Sequence, residues 1–298
     1  MRLSFILTTA GILMSCVTAF AQKTDTTWEQ VDGLFGRRAT ISGDVHRYGF
    51  PRNDLSVTLD EVVIKPALTL GGWIAFQPMH GEVAIMGDLV LLEPEINPVI
   101  TKLIAGGLEI TAIHNHLLRT TPATFYMHVS GHGDPVQIAT TIHAALTASK
   151  TPVISVPTAG SPVPTLDMDT AQIEQLIGYK GQANGGVYQF AIPRGEPIVE
   201  NGMPLSPPGP LGVATAINFQ PTGNGKAAIT GDFVLTGTEV NPVIRALRAS
   251  SIEVTAVHSH MLDEQPRLFF LHFWANDDAV KLAKGIRSAL EQTSSVKR

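Results

Sequence analysis

The sequence predicts an α+β fold built from two tandem repeats, each an antiparallel sheet with helices packed on one face, the two related by a pseudo-two-fold. Three observations carry that prediction. Gly87 to Leu146 aligns with Gly231 to Leu290 at a fixed offset of 144, with 26 identities in 60 positions and no gap. Self-similarity at a fixed period marks a duplicated structural unit. Within each copy, runs with strand-like alternation are followed by a helical stripe, a hairpin and a second helix, the segregated order of an α+β domain. The composition, 44% apolar and 16% charged with 27 glycines and 20 prolines, is that of a folded, turn-rich chain. Its 298 residues suffice for two cores.

Residues 1–21 have the layout of a secretory signal peptide: Arg2, an apolar run from Leu3 to Met14, then Ala19-Phe20-Ala21 before Gln22. Cleavage there removes Cys16, the single cysteine, and leaves a chain with no disulfide, thiolate ligand or cysteine nucleophile. In a rival reading Leu13-Met14-Ser15-Cys16 is a lipobox, and Cys16 becomes a lipidated first residue. Both readings export the protein, to the periplasm or beyond it in the first and to a membrane-anchored lipoprotein in the second. No other run approaches the ~20 apolar residues that a membrane-spanning helix needs. The first repeat is expected over residues 22–157 and the second over 158–298, dividing within the proline-rich segment Thr151 to Pro164.

Each copy opens with a short helix, Trp28 to Phe35 or Thr170 to Ile177, the second capped by Asp169 and stopped by Gly178. Strands follow at Val45 to Phe50, Val62 to Ile64, Gly72 to Gln77 and Glu82 to Leu92. In the second copy they fall at Val187 to Ile192, Gly212 to Gln220 and Lys226 to Leu235. Asn97-Pro98 and Asn241-Pro242 predict helix starts, an amide cap before a proline at the first helical position. Asp134-Pro135 and Asp278 predict the last helices, with stripes Ile138, Ile142, Leu146 and Leu282, Ile286, Leu290.

Between these helices lie two copies of one histidine-bearing hairpin, Leu108 to Ser130 and Ile252 to Trp274. Side chains two apart on a strand share a face, so His114 and His116 pair, as do His258 and His260. A register placing His114 across from His128, and His258 across from His272, brings three imidazoles together in each copy. His₃ with an open position is the ligand set of a catalytic zinc site, so zinc or another divalent transition metal is the expected cofactor. The competing reading makes these structural histidines that hydrogen-bond within the core, with no cofactor.

Glu95 and Glu239 stand two residues before the Asn-Pro pairs. Each is either a fourth ligand or general base or simply an acid favoured at a helix N-terminus. Glu239 and Glu264 are the weak catalytic candidates. Asp88 and Asp232 follow repeated glycines and read as a turn or bulge. Asp263, Glu264 and Arg267 occupy the second hairpin loop, where the first has Arg119, Thr120, Thr121 and Thr124, which favours the second copy if one alone is active. Gly131-His132-Gly133-Asp134 is a weak anion site. His46, His80 and His143 lack counterparts and read as surface residues. A net charge of −5 and a pI near 6.0 argue against nucleic-acid partners. No phosphate loop, Gly-x-Ser-x-Gly or His-Glu-x-x-His motif occurs.

The strings GDLVLLEPEINPVI, EITAIHNHLL and MHVSGHGDP in the first copy, with GDFVLTGTEVNPVIRAL, IEVTAVHSHMLDEQPRLFFLHFWA and KLAKGIRSAL in the second, resemble the LppY and LpqO family of exported bacterial proteins. The resemblance spans both copies. It implies a cell-envelope protein carrying a domain of unknown function, with lipoproteins among its named members and a peptidoglycan-binding label on some relatives. The family's His-Asn-His stands at His114-Asn115-His116, whereas the second copy has Ser259 between its histidines. Thr121 to Thr124 replace the usual Glu and Arg. The sequence therefore points to an exported protein that binds an envelope ligand or a divalent metal through its histidine hairpins. The alternatives are a metal-dependent hydrolase and a structural, peptidoglycan-associated protein without metal.

Overall fold

The computed structural model describes residues 26–79, 81–153 and 166–295. The expected signal peptide, the lipobox at Cys16, the 157/158 division and His80 lie outside them.

The first repeat runs through a helix over residues 26–35 (α1), β1 (Thr40–Ser42), β2 (Val45–Pro51), β3 (Val57–Leu59), β4 (Val62–Ile64), α2 (Pro66–Thr69), β5 (Gly71–Met79), β6 (Glu82–Leu92), α3 (Glu93–Ala105), β7 (Glu109–His114), β8 (Thr124–Gly133) and α4 (Pro135–Ala148). The second runs through α5 (Thr170–Ile177), β9 (Gln182–Asn184), β10 (Val187–Ile192), β11 (Val199–Glu200), β12 (Met203–Pro204), β13 (Thr215–Gly223), β14 (Lys226–Thr236), α6 (Gly237–Ala249), β15 (Glu253–His258), β16 (Glu264–Gln265), β17 (Leu268–Asp278) and α7 (Ala279–Leu290). Two six-stranded sheets result, ordered β1-β2-β5-β6-β8-β7 and β9-β10-β13-β14-β17-β15, the same topology twice. Their neighbouring strands pair antiparallel. Two tandem α+β repeats are what the duplication predicted.

Alternation along the strands separates two faces of each sheet. In β6, Val83, Ile85, Leu89 and Leu91 pack against Phe35 of α1, Val99 and Leu103 of α3, and Ile138 and Ile142 of α4. In β14 and β17, Ile229, Phe233, Leu271 and Phe273 pack against Ile173 of α5, Val243 and Leu247 of α6, and Leu282 and Ile286 of α7. Helices therefore cover one face of each sheet. The helix-free faces turn toward each other and carry the remaining inward residues, Met86 and Val90 with Val234 and Phe270 among them.

The repeats are interlocked across that interface. Gln220 Nε2 of the second sheet donates to the Val63 carbonyl (2.8 Å), while Gln77 Nε2 of the first donates to the Pro204 carbonyl (3.2 Å). Thr111 Oγ1 donates to the His260 carbonyl and Thr255 Oγ1 to the His116 carbonyl, both at 2.5 Å. Residues 111 and 116 map onto 255 and 260 through the offset of 144. Contacts in which i meets j and the equivalent of i meets the equivalent of j are those of an isologous interface, here within one chain. The pseudo-two-fold axis thus passes between β7 and β15.

Two expectations are corrected. Helices α3 and α6 begin four residues before the predicted Asn-Pro caps, leaving Pro98 and Pro242 inside them. The cause is Glu95 and Glu239, whose carboxylates turn back to accept from the Leu92 and Thr236 backbone N–H at 2.8 and 2.7 Å. Each helix therefore starts where its strand ends. Both acids also meet a fully buried arginine: Arg52 Nη1 lies 2.8 Å from Glu95 and Arg194 Nη1 2.7 Å from Glu239, each arginine also donating to a strand carbonyl, Val90 or Val234. Second, Asp88 and Asp232 are at neither a turn nor a bulge. β6 and β14 run unbroken through them in register with β8 and β17.

Candidate metal centre

The duplicated histidines meet between the two helix-free faces. His128 on β8 and His272 on β17 project inward at mid-strand, and their Cα partners on the adjacent strands are Asp88 and Asp232. His114 and His258 end β7 and β15, and His116 and His260 follow two residues later in the loops. The closest histidine–histidine stacks cross the interface. His114 lies 3.6 Å from His258 between ring centroids, His116 lies 3.9 Å from His272, and His128 lies 3.7 Å from His260.

Within this stack the ring nitrogens fall into two classes. Several are engaged on the outer side: His272 Nδ1 donates to the Gly231 carbonyl (2.7 Å), and His116 Nδ1 lies 2.9 Å from the Thr69 hydroxyl. The rings of His128 and His260 hydrogen-bond the Gly87 and Gly212 backbone. The Nε2 atoms of these same four histidines, and both nitrogens of His114 and His258, are buried without a hydrogen-bond partner. A ring fixed by its outer nitrogen with its inner nitrogen bare is how metal-ligating histidines are held, since the outer bond sets tautomer and direction. A purely structural histidine would satisfy both.

Electrostatics favour the same state. Burial, followed by repulsion from neighbouring imidazoles, holds His114, His116, His128, His258 and His260 far below the ordinary histidine range. Neutral imidazole is the form that coordinates metal. The donor atoms of His114, His116 and His272 lie within 4.8 Å of one another, as do those of His114, His128 and His258, and those of His258, His260 and His272. Each of these groups can hold a metal ion.

Two carboxylates stand beside the rings. Asp232 Oδ2 is 3.2 Å from His260 Nε2, without hydrogen-bond geometry, and Asp88 Oδ2 is 3.7 Å from His116 Nε2. Burial and the Asp232 charge raise the Asp88 carboxyl well above the usual range, with Arg47 opposing. Burial raises Asp232 to about 6, against His272 and the Leu271 N–H. Both line a cavity of 750 Å³ together with His116, His128, His260 and His272. Its wall is unequal on the two sides. The first repeat contributes Arg47, whose guanidinium sits 3.8 Å over the Trp73 ring and donates to the Pro210 carbonyl, whereas the second contributes Gln189 and Asn218. Burial lowers Arg47 to about 10, so it remains a cation at neutral pH.

A family model described as Domain of Unknown Function (DUF1259) matches residues 29–148 and again 171–292. The chain belongs to the DUF1259 family. Both matches coincide with the structural repeats, so the duplication is two copies of the family's domain. No curated protein matches the DUF1259 chain. Two solved structures resemble it weakly. A trimeric bacterial microcompartment shell protein, PduB, shares 15% identity over 88% of this chain and 97% of its own, with a TM-score of 0.22. The double-ringed trimeric shell protein MSM0271 shares 11% over 72% and 84%, with a TM-score of 0.20. At those scores neither likeness bears on fold or function.

The DUF1259 chain departs from the sequence expectations at several points. The hairpins pair two residues out of the predicted register: His114 faces Tyr126 and His258 faces Phe270, while His128 and His272 face Ala112 and Ala256. The shift of two keeps every histidine on its expected face but leaves each hairpin's pair diagonal. A bulge at Thr111 and Thr255, whose hydroxyls cross to the other repeat, steps the register by one further along the same strands. The ligand groups consequently mix the repeats. His258, His260 and His272 converge as predicted, whereas His114 and His116 close with His272, and His114 and His128 with His258.

Glu239 is bonded by Arg194 and by the Thr236 and Ser294 N–H groups, which outweigh burial and lower its carboxyl below the usual range. Glu264 accepts from the Leu268 N–H at 2.7 Å and pairs with Arg267. The acids that stand at the histidines are Asp88 and Asp232. Their signal was present in the sequence: a charged residue at the same place in two otherwise apolar strands, in register with the hairpin's third histidine. Gly133 closes β8 and Asp134 caps α4 through the Val136 and Gln137 N–H groups. His46 is half-buried and stacks on Trp28 at 3.7 Å, and His143 is half-buried on α4.

Proposed function

We propose that this DUF1259 protein is an exported cell-envelope protein that binds a divalent transition metal, zinc by ligand type, in the six-histidine chamber between its repeats. The observation that carries the reading is the set of buried Nε2 atoms left bare on rings anchored through their other nitrogen. Imidazole donors suit zinc, copper, nickel and iron over calcium or magnesium. The signal-peptide layout of residues 1–21 supports export, and the strings shared with LppY and LpqO support an envelope location and a finer placement in that family. Among the described residues no helix is long and apolar enough to cross a membrane.

A second reading, metal-dependent hydrolysis, is favoured by the 750 Å³ cavity that adjoins the histidines. That volume suits a small molecule. Asp88 or Asp232 would accept a proton from a metal-bound water.

The test is elemental analysis of untagged protein isolated from the native envelope fraction without chelator. The expected result is bound transition metal, reduced in the His258→Ala/His260→Ala variant while its circular dichroism is unchanged, with an N-terminus at Gln22 or a lipidated Cys16. Protein that carries no metal and takes none up on titration would return the histidines to a structural role. An intact Met1 terminus would remove export.

A further inference from the structure

The chamber holds more donors than one ion can use. Eight imidazole nitrogens, two each on His114 and His258 and one each on His116, His128, His260 and His272, are buried without a partner, as are Asp88 Oδ1 and Asp232 Oδ1. Asp88, His128, His260 and His272 are all less than a tenth exposed. Zinc takes four ligands in most protein sites and five at most in a reaction. A single ion would leave at least half of these atoms buried and unmet.

Symmetry shows where a second ion belongs. The group His114, His116 and His272 takes two residues from the first repeat and one from the second, so it lies off the pseudo-two-fold. Its mate under the offset of 144 is His258, His260 and His128, although the close donor groups around His258 join it to His260 and His272 or to His114 and His128. The spacing of ring centroids agrees: 5.0, 3.9 and 5.3 Å for pairs 114–116, 116–272 and 114–272, against 4.9, 3.7 and 5.9 Å for 258–260, 260–128 and 258–128. Each half has one carboxylate beside its loop histidine, Asp88 at His116 and Asp232 at His260.

We propose that the chamber binds a pair of divalent transition-metal ions, one on each side of the pseudo-two-fold. His114, His116 and His272 with Asp88 hold the first; His258, His260 and His128 with Asp232 hold the second. The inference rests on the metal-binding reading above. It adds that the centre is dinuclear, with each ion held by residues of both repeats.

The experiment is titration of the metal-free full chain with zinc, read by elemental analysis after desalting, and with copper(II), read by electron paramagnetic resonance. The expected result is two ions per chain, with a spin-coupled copper signal. The His116→Gln/Asp88→Asn variant and the His260→Gln/Asp232→Asn variant should each retain one ion and lose the coupling, with urea midpoints confirming that both are folded. If a variant does not fold, the wild-type stoichiometry and coupling decide alone. One ion in the wild-type chain overturns the pair and leaves the metal reading standing, whereas none overturns both.

Discussion

The two repeats agree at the histidines and differ around them. His114, His116, His128 and Asp88 recur as His258, His260, His272 and Asp232. The cavity wall does not repeat: Arg47 over Trp73 on one side corresponds to Gln189 and Ala216 on the other. The hairpin loops differ as well. In the first repeat Thr58 bridges Thr121, while the corresponding ladder in the second pairs Glu200 with Glu264. Duplication has preserved what faces the axis and released what faces away from it. A residue near a pseudo-two-fold touches its own equivalent, so a change there alters both sides of the centre at once. A residue on the wall touches only one side and is free to diverge. The two copies are therefore two halves of one chamber rather than an active and an inactive site.

The comparison is most strongly tested at the repeated buried ion pair. Removing one partner of such a pair strands the other charge, at about 3–5 kcal/mol. Arg52→Ala and Arg194→Ala are expected to lose that much each, and by nearly equal amounts, in urea unfolding. A tolerated change in one copy alone would show that the repeats do not share a scaffold.

The next effect separates the copies. A Cβ on Gly231 would sit 2.0 Å from the Ala216 carbonyl oxygen, a backbone atom that cannot swing away. One on Gly87 would meet the Ile74 side chain at 2.3 Å and the Trp73 carbonyl at 2.8 Å. Overpacking typically costs about 1–3 kcal/mol. Gly231→Ala is expected at or beyond the upper end and Gly87→Ala nearer the lower, by thermal unfolding. The reverse order would contradict the tighter strand approach in the second sheet.

The smallest effect is the share of the pH dependence that Glu200 adds, an acid that corresponds to Thr58 in the first repeat. Burial, then the charges of Glu264, Asp263 and Glu109, raise the Glu200 carboxyl to about 7. An unfolded glutamate titrates near 4.3. Between those values the folded chain holds a proton that the unfolded chain has released, so stability falls as pH rises through that window. Glu200→Gln should flatten the fall and raise stability at pH 8 by about 1–2 kcal/mol, with little change at pH 4. Thr58→Val, at the matching place in the first repeat, should leave the pH profile unaltered. A Glu200→Gln profile parallel to wild type between pH 5 and 7 would sink the assignment.

Much of this was legible in the chain. The offset of 144 gave the two repeats, the 3.6- and 2-residue periods gave most helices and strands, and Asp134, Asp169 and Asp278 cap their helices as expected. These are local signals, set by propensity and by side-chain bonds to the nearest free backbone groups. The start of α3 was misread because two local signals compete there. Asn97-Pro98 resembles a cap, but Glu95 satisfies the strand-end N–H first.

The sequence by itself determined which residues form the centre's histidines, which face of the strand they share, and that everything comes in pairs. Only the tertiary structure decided that His116 belongs with His272 and His128 with His260. It also decided that Asp88 and Asp232 join them, and that Glu239 is held by Arg194. The physical reason is that strand alternation fixes a side chain's face but not its partner across a second sheet. That partner is set by how two helix-free surfaces stack and by the register in which each hairpin pairs. Both are long-range packing events with no counterpart in any window of the chain.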